Sequence, residues 1–181
     1  MFKLIGLLCI VVIAGFLVYV ALKPSDFRIT RSESIKAAPG TVFAYINDLH
    51  GFNNWNPFAQ GDPGLKIDYS GPPSGKGAAY VWDGAGKTGK GRMEITDSSP
   101  TSQVVMRLEF TKPMTATNKV EFTLVPTGPE TTVTWSMTGR SPYLHKLMGT
   151  LFNMDKMVGG EFEKGLISLK ALAEQQRAAG T

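Results

Sequence analysis

Cysteine is almost missing from this chain of 181 residues: Cys9 is the only one. It lies inside an apolar run, so no disulfide braces the remainder. Histidine is nearly as scarce. His50 and His145 stand far apart, with no cysteine or paired acid at ligand spacing, which argues for turn histidines and against a metal site. No serine sits in a strand–Gly-x-Ser-x-Gly–helix setting, so a hydrolase nucleophile is not in view. Gly84-Ala85-Gly86 and Gly89-x-Gly91 lie between strand candidates with no helix after them; hairpin turns explain them better than a phosphate loop. Basic runs are absent too. Apart from Lys3 and Lys23, 17 basic residues face 15 acidic ones, interspersed along the chain, and nucleic acid is not an expected partner. No cofactor motif, repeat or low-complexity segment is present.

What the chain has first is a long apolar run. Leu4 to Leu22 carries no charge and is bracketed by Lys3 and Lys23. At ~1.5 Å per residue it reaches about 28 Å as a helix, the thickness of a hydrocarbon core. A cleaved signal needs a shorter apolar region and a small-x-small site, but Tyr19 stands two positions before Ala21. The reading is an uncleaved anchor over residues 1–23, followed by one domain over 24–181. Counting Lys and Arg places that domain in the cytoplasm, whereas the three-residue tail before the span resembles an exporting signal anchor; both sides stay open. Pro24-Ser25-Asp26 is a tether short enough to hold the domain against the bilayer.

Pattern then predicts strands. Phe27 to Ile35 is the first, and Leu65-Lys66-Ile67-Asp68-Tyr69, Ala78 to Trp82, Gly91 to Asp97 and Gln103 to Phe110 follow, separated by Gly/Pro/Ser turns. In Thr117 to Pro126, Val120, Phe122 and Leu124 face one way. In Thr131 to Arg140, Val133, Trp135 and Met137 alternate with threonines and Ser136. Such alternation describes an antiparallel sheet with one wet face. Leu151 to Arg177 reads as a long helix with Val158, Phe162, Leu166, Leu169 and Leu172 as its buried stripe, the polar Gln175-Gln176-Arg177 fraying at its end.

IKAAPGTVFAYINDLHGFNNWNPF, Ile35 to Phe58, joins a strand end, a helix opened by Pro39, and an aromatic turn closing on Trp55-Asn56-Pro57-Phe58. GKGRMEI, Gly89 to Ile95, and MDKMVGGEFEKGLISLKALAE, Met154 to Glu174, complete the set. These blocks resemble the polyketide cyclase/dehydrase branch of the START-like superfamily (SRPBCC). The resemblance implies an α+β helix-grip fold: a strand, two short helices, six more strands, and a curved antiparallel sheet of about seven strands around the C-terminal helix. It also implies an apolar cavity between sheet and helix. The superfamily includes carriers, cyclases, oxygenase domains and co-chaperone-like modules, so the fold does not choose an activity.

The expected lining is apolar: Trp55, Trp82, Met93, Met106, Phe110, Phe122, Trp135 and Met137 from the turn and strands, with Phe152, Met157 and Phe162 from the closing segment. Flexible thioethers suit a pocket that adapts to several apolar ligands, and simple core filling explains any one of them as well. Arg140, ending an inner-facing strand, is the candidate for a ligand carboxylate or phosphate, or else a surface ion pair. Asn47, Asp48, Asn56 and Asp155 are further polar candidates for the lining; caps and turns explain Asn47, Asp48 and Asp155 best. Gly159, Gly160 and Gly165 each lower helix propensity by ~1 kcal/mol, which fits close packing or room for a ligand. Three functions compete: a membrane-anchored binder or carrier of a hydrophobic small molecule (lipid, isoprenoid or polyketide-like), a cyclase/dehydrase-type enzyme, and a membrane-associated protein-interaction module.

Overall fold

A computed structural model describes residues 2–84, 88–141, 143–151 and 153–179. In chain order its elements are α1 (Phe2–Leu22), β1 (Asp26–Ile35), α2 (Pro39–Asn47), α3 (Leu49–Asn53), α4 (Pro57–Gln60), β2 (Lys66–Ser70), β3 (Ala79–Asp83), β4 (Lys90–Ser99), β5 (Gln103–Lys112), β6 (Ala116–Thr127), β7 (Glu130–Arg140), α5 (Tyr143–Leu151) and α6 (Met154–Ala179). The seven strands form one antiparallel sheet in the order β1-β7-β6-β5-β4-β3-β2. The register shifts between Ile95 and Asp97 on β4, where an extra residue bends the ladder. With α6 laid along β1, this is the helix-grip arrangement.

Period-two patterning placed the strands on the correct faces. Val120, Phe122 and Leu124 are buried on β6, and Val133, Trp135 and Met137 on β7. The inner faces of both strands belong to one core with Met93, Ile95, Val104 and Met106. The segment between β1 and β2 holds three short helices where two were expected. Pro39 opens α2, whose Val42 and Ile46 turn inward. Asp48 caps α3 by accepting from the His50 amide (2.9 Å), and Asn56 caps α4 by accepting from the Phe58 amide (3.2 Å).

The C-terminal region departs further. A separate helix, α5, precedes α6, which starts at Met154 and continues through Gln175-Gln176 to Ala179. Phe162, Leu166, Leu169 and Ala173 are its buried stripe, whereas Val158 and Leu172, at the two ends of the expected stripe, are half-buried. Charges fix the helix on β1. Arg31 reaches Glu163 (2.6 Å) and Asp155 (3.0 Å), and Lys170 reaches Glu33 (2.6 Å). Gly159 makes room for that contact: a Cβ there would stand 2.1 Å from an Arg31 guanidinium nitrogen. Gly165 does the same for rings, since its Cβ would lie 2.8 Å from Trp135 and 2.9 Å from Pro57. Gly160 has open space instead.

α1 is long and apolar enough to cross a membrane, and little of it is buried by the protein. Its last turns are met by α5. Tyr143 donates to the Leu17 carbonyl (3.1 Å), Lys146 to the carbonyls of Lys23 (2.6 Å) and Ala21 (3.4 Å), and Lys23 to the Thr150 hydroxyl (3.2 Å). A lysine on exposed C-terminal carbonyls satisfies acceptors that the helix itself leaves unpaired.

Candidate functional site

Five aromatic rings occupy the space between the α2–α4 segment, α6 and the middle of the sheet. Trp135 from β7 stacks on Phe162 from α6 at 4.0 Å and nearly parallel. Trp55 meets Trp135 edge-on at 5.6 Å and Phe52 at 4.9 Å, while Phe122 lies 4.9 Å from Trp135. Each such pair adds ~0.5–1.5 kcal/mol beyond the area it buries. The anticipated open volume beneath the C-terminal helix is therefore filled here by the protein's own rings. The Trp55 indole donates to the Tyr45 carbonyl (3.1 Å). That of Trp135 is buried with no acceptor among the described residues, although a buried donor left unpaired costs ~1–3 kcal/mol.

Toward the β2 edge the packing changes character. Trp82 lies flat over Gly91, where a Cβ would stand 2.3 Å from its ring, and meets Phe110 edge-on at 5.5 Å. Leu65, Ile67, Leu108 and Phe110 are only partly buried, because α6 rests on β1 and does not reach this side. Met93, Met106 and Met137 are buried within the same core.

Set into this apolar surface is a polar group. Asn56 donates to the Asn53 side chain (3.1 Å), Asn53 donates to the Tyr69 hydroxyl (3.1 Å), and Gln60 donates to the Asn53 carbonyl (2.8 Å). The Tyr80 hydroxyl lies beside both asparagines and points at the Met93 sulfur (3.6 Å). Burial pushes the Tyr80 phenol far above its ordinary value, reinforced by Tyr69 and opposed by the two amides. Tyr80 is thus a neutral hydrogen-bond donor at every physiological pH. Nearby, His50 stacks on Tyr69 at 3.6 Å. These two rings help line a depression of about 110 Å³ with Leu49, Pro72 and Ala78.

The remaining expected site residues scatter. Met157 is 59% exposed, on the solvent side of α6, because the helix turns its Phe162 face inward. The Arg140 side chain is 83% exposed and pairs with Asp26 (3.4 Å), away from the interior. It lines a second, open depression of about 580 Å³ with Phe27, Arg28 and Lys119. Phe152 lies outside the described residues, as do Ala85 and Gly86 of the expected hairpin turn. Asn47 accepts from Ser98 (2.6 Å), and Asp155 is held below the usual carboxylate range by its hydrogen bonds from Arg31.

Residues 26–174 match the family described as polyketide cyclase/dehydrase and lipid transport. The chain belongs to this family. Among solved structures of the same fold, a protein from Chromobacterium violaceum superposes with a TM-score of 0.59 at 15% identity, over 84% of this chain and 99% of that one. The di-domain aromatase/cyclase StfQ from the steffimycin pathway gives 0.61 at 12% identity, over 87% and 53%. The Aha1 dimer from Colwellia psychrerythraea gives 0.56 at 19%, over 82% and 96%. No curated protein matches the chain. In this family member, Asn53, Asn56 and Tyr80 form the buried polar group, and the exposed Tyr69 closes it from β2. The sequence offers Asn56 as a lining candidate but gives no comparable reason to choose Asn53 or Tyr69. The available signal was Tyr69 in step with Leu65 and Ile67, which puts its ring on the inner face.

Proposed function

We propose that the chain is a membrane-anchored binding or carrier domain for a hydrophobic small molecule, held on the inner face of β2–β5 beside Asn53, Asn56 and Tyr80. The observation that carries this reading is the buried amide–phenol group within an otherwise apolar surface, the composition expected of a small-molecule site. Family membership supports the ligand class. A drug-sized ligand needs ~300–1,000 Å³, and the depression at His50 and Tyr69 offers about 110 Å³. Binding therefore moves side chains. The His50–Tyr69 stack is the entrance that opens, and Met93 and Met106 are the unbranched side chains that repack. The anchor, α1, holds the domain at a bilayer that supplies apolar molecules, and the entrance opens where β2 ends and β3 begins, at the end of these strands away from α1.

The polar group also favours a second reading, a cyclase-type enzyme. StfQ, from the steffimycin biosynthetic pathway, shares the fold, and a neutral Tyr80 hydroxyl beside two amides can hydrogen-bond a carbonyl on a folded chain. Mass spectrometry of the gently detergent-solubilised full-length protein separates the two. A carrier retains an apolar molecule at unit stoichiometry and returns it unchanged; an enzyme converts a poly-β-keto substrate. Protein free of bound molecules, without saturable uptake of a fluorescent fatty acid, overturns the binding reading.

A further inference from the structure

The sheet has two unlike ends. In register, Asp26 faces Arg140, Phe110 faces Ala116, Lys90 faces Lys112 and Lys66 faces Asp83. One rim is therefore built from the starts of β1, β2, β4 and β6 and the ends of β3, β5 and β7. It is the rim beside α1, because only Lys23, Pro24 and Ser25 separate Leu22 from β1.

That rim is basic. Lys66, Lys90, Lys112 and Arg140 stand on its outermost row, with Arg28 and Lys119 just inside. Three of its acids are engaged, Asp83 with Lys90 (2.5 Å), Asp26 with Arg140 (3.4 Å) and Glu109 with Arg107 (3.6 Å), while Asp62, ahead of β2, keeps one buried carboxylate oxygen with no partner among the described residues. Among the described residues, Lys66 and Lys112 form no salt bridge, Arg28 acts on the Glu121 carboxylate only at a distance, and all three are exposed. The open depression of about 580 Å³ lies at the same rim, lined by Arg28, Lys119 and Arg140 with Asp26, and Lys119 also pairs with Glu121 (2.5 Å) further along β6. The opposite end shows no such excess: Lys36 and Lys76 are set there against Glu130 and Asp97.

Two apolar features share the rim's level. Met114, 37% exposed, tips the β5–β6 connection directly after Lys112. α5 grips the last turns of α1, and at 1.5 Å per residue its contact with Leu17 lies about 9 Å below Lys23 along that helix. That is the depth at which interfacial helices and tyrosines sit.

We propose that this rim is a docking face for acidic phospholipid headgroups of the bilayer that α1 enters. Arg28, Lys66, Lys112 and Lys119 contact the headgroups, while Met114 and Tyr143 enter the interface. The proposal rests on α1 spanning the membrane. It adds that the domain is seated on the surface with one fixed face and does not swing on its tether.

Full-length protein carrying Cys9→Ser and Met114→Cys, labelled with an environment-sensitive fluorophore, tests it in proteoliposomes. Emission is expected to shift blue in vesicles with about 30 mol% phosphatidylglycerol relative to pure phosphatidylcholine. The shift should fall at least twofold when salt rises from about 0.1 to 0.5 M, or when Lys66→Gln and Lys112→Gln are combined. Identical emission in both vesicles overturns the docking face. Alkaline carbonate treatment of the same vesicles keeps the two claims apart. Protein that stays in the membrane with unshifted emission sinks docking alone, whereas protein that is extracted sinks the anchor and the docking face with it.

Discussion

Gly159, Gly160 and Gly165 follow one another on α6 and have three different surroundings. Alanine at Gly160 meets nothing within 4 Å, so only the backbone entropy changes, and a gain of ~0.5–1 kcal/mol in urea unfolding is expected. Alanine at Gly165 strikes Trp135 and Pro57, both held by packing, and is expected to lose ~1–3 kcal/mol. Alanine at Gly159 displaces the Arg31 guanidinium from Asp155 and Glu163, and should fall below Gly160→Ala. Equal effects at all three would contradict the packing described. Tyr80→Phe tests the polar group in the same way. It removes one buried hydroxyl beside Asn53 and Asn56, and a ligand bearing an acceptor should bind about tenfold more weakly, the worth of one hydrogen bond. Asn53 and Tyr69 were hard to find because their residue types are ordinary for a turn and a strand. Only the fold reveals that the two meet.

The element that the sequence hid is α5. YLHKLMGTL is short, follows a proline and contains Gly149 and the β-branched Thr150, so propensity and length both argue against a helix. What holds it is the long-range set of contacts from Tyr143, Lys146 and Thr150 to α1. The strands were legible for the opposite reason, since alternation with one wet face is a local signal that survives in each strand by itself. The α6–β1 clamp carries a pH dependence of definite sign. Asp155 is held below the ordinary carboxylate value when folded. Its contribution is therefore present above its unfolded value, near pH ~4, and is lost as pH falls through the lower folded one. Thermal melts of the wild type should lose stability more steeply below pH ~4 than those of Asp155→Asn. Parallel curves for the two proteins would show that the clamp plays no part.

For the whole molecule, an antiparallel α+β domain could be read from pattern, and family blocks extended that to the helix-grip. Whether the interior is open could not be read. An inward Trp or Phe looks the same in sequence whether it lines a cavity or fills it, and here Trp55, Phe122, Trp135 and Phe162 fill it under α6. The binding reading consequently moves to the β2–β5 side, where Ile67, Leu108 and Phe110 are incompletely covered. Photo-crosslinking of the full-length protein with a diazirine-bearing fatty acid, mapped by peptide mass spectrometry, bears on this most directly. Saturable labelling of peptides containing Tyr69, Tyr80 and Leu108, suppressed by excess unlabelled fatty acid, is expected. Labelling confined to α1, or undiminished by competitor, would contradict the binding reading.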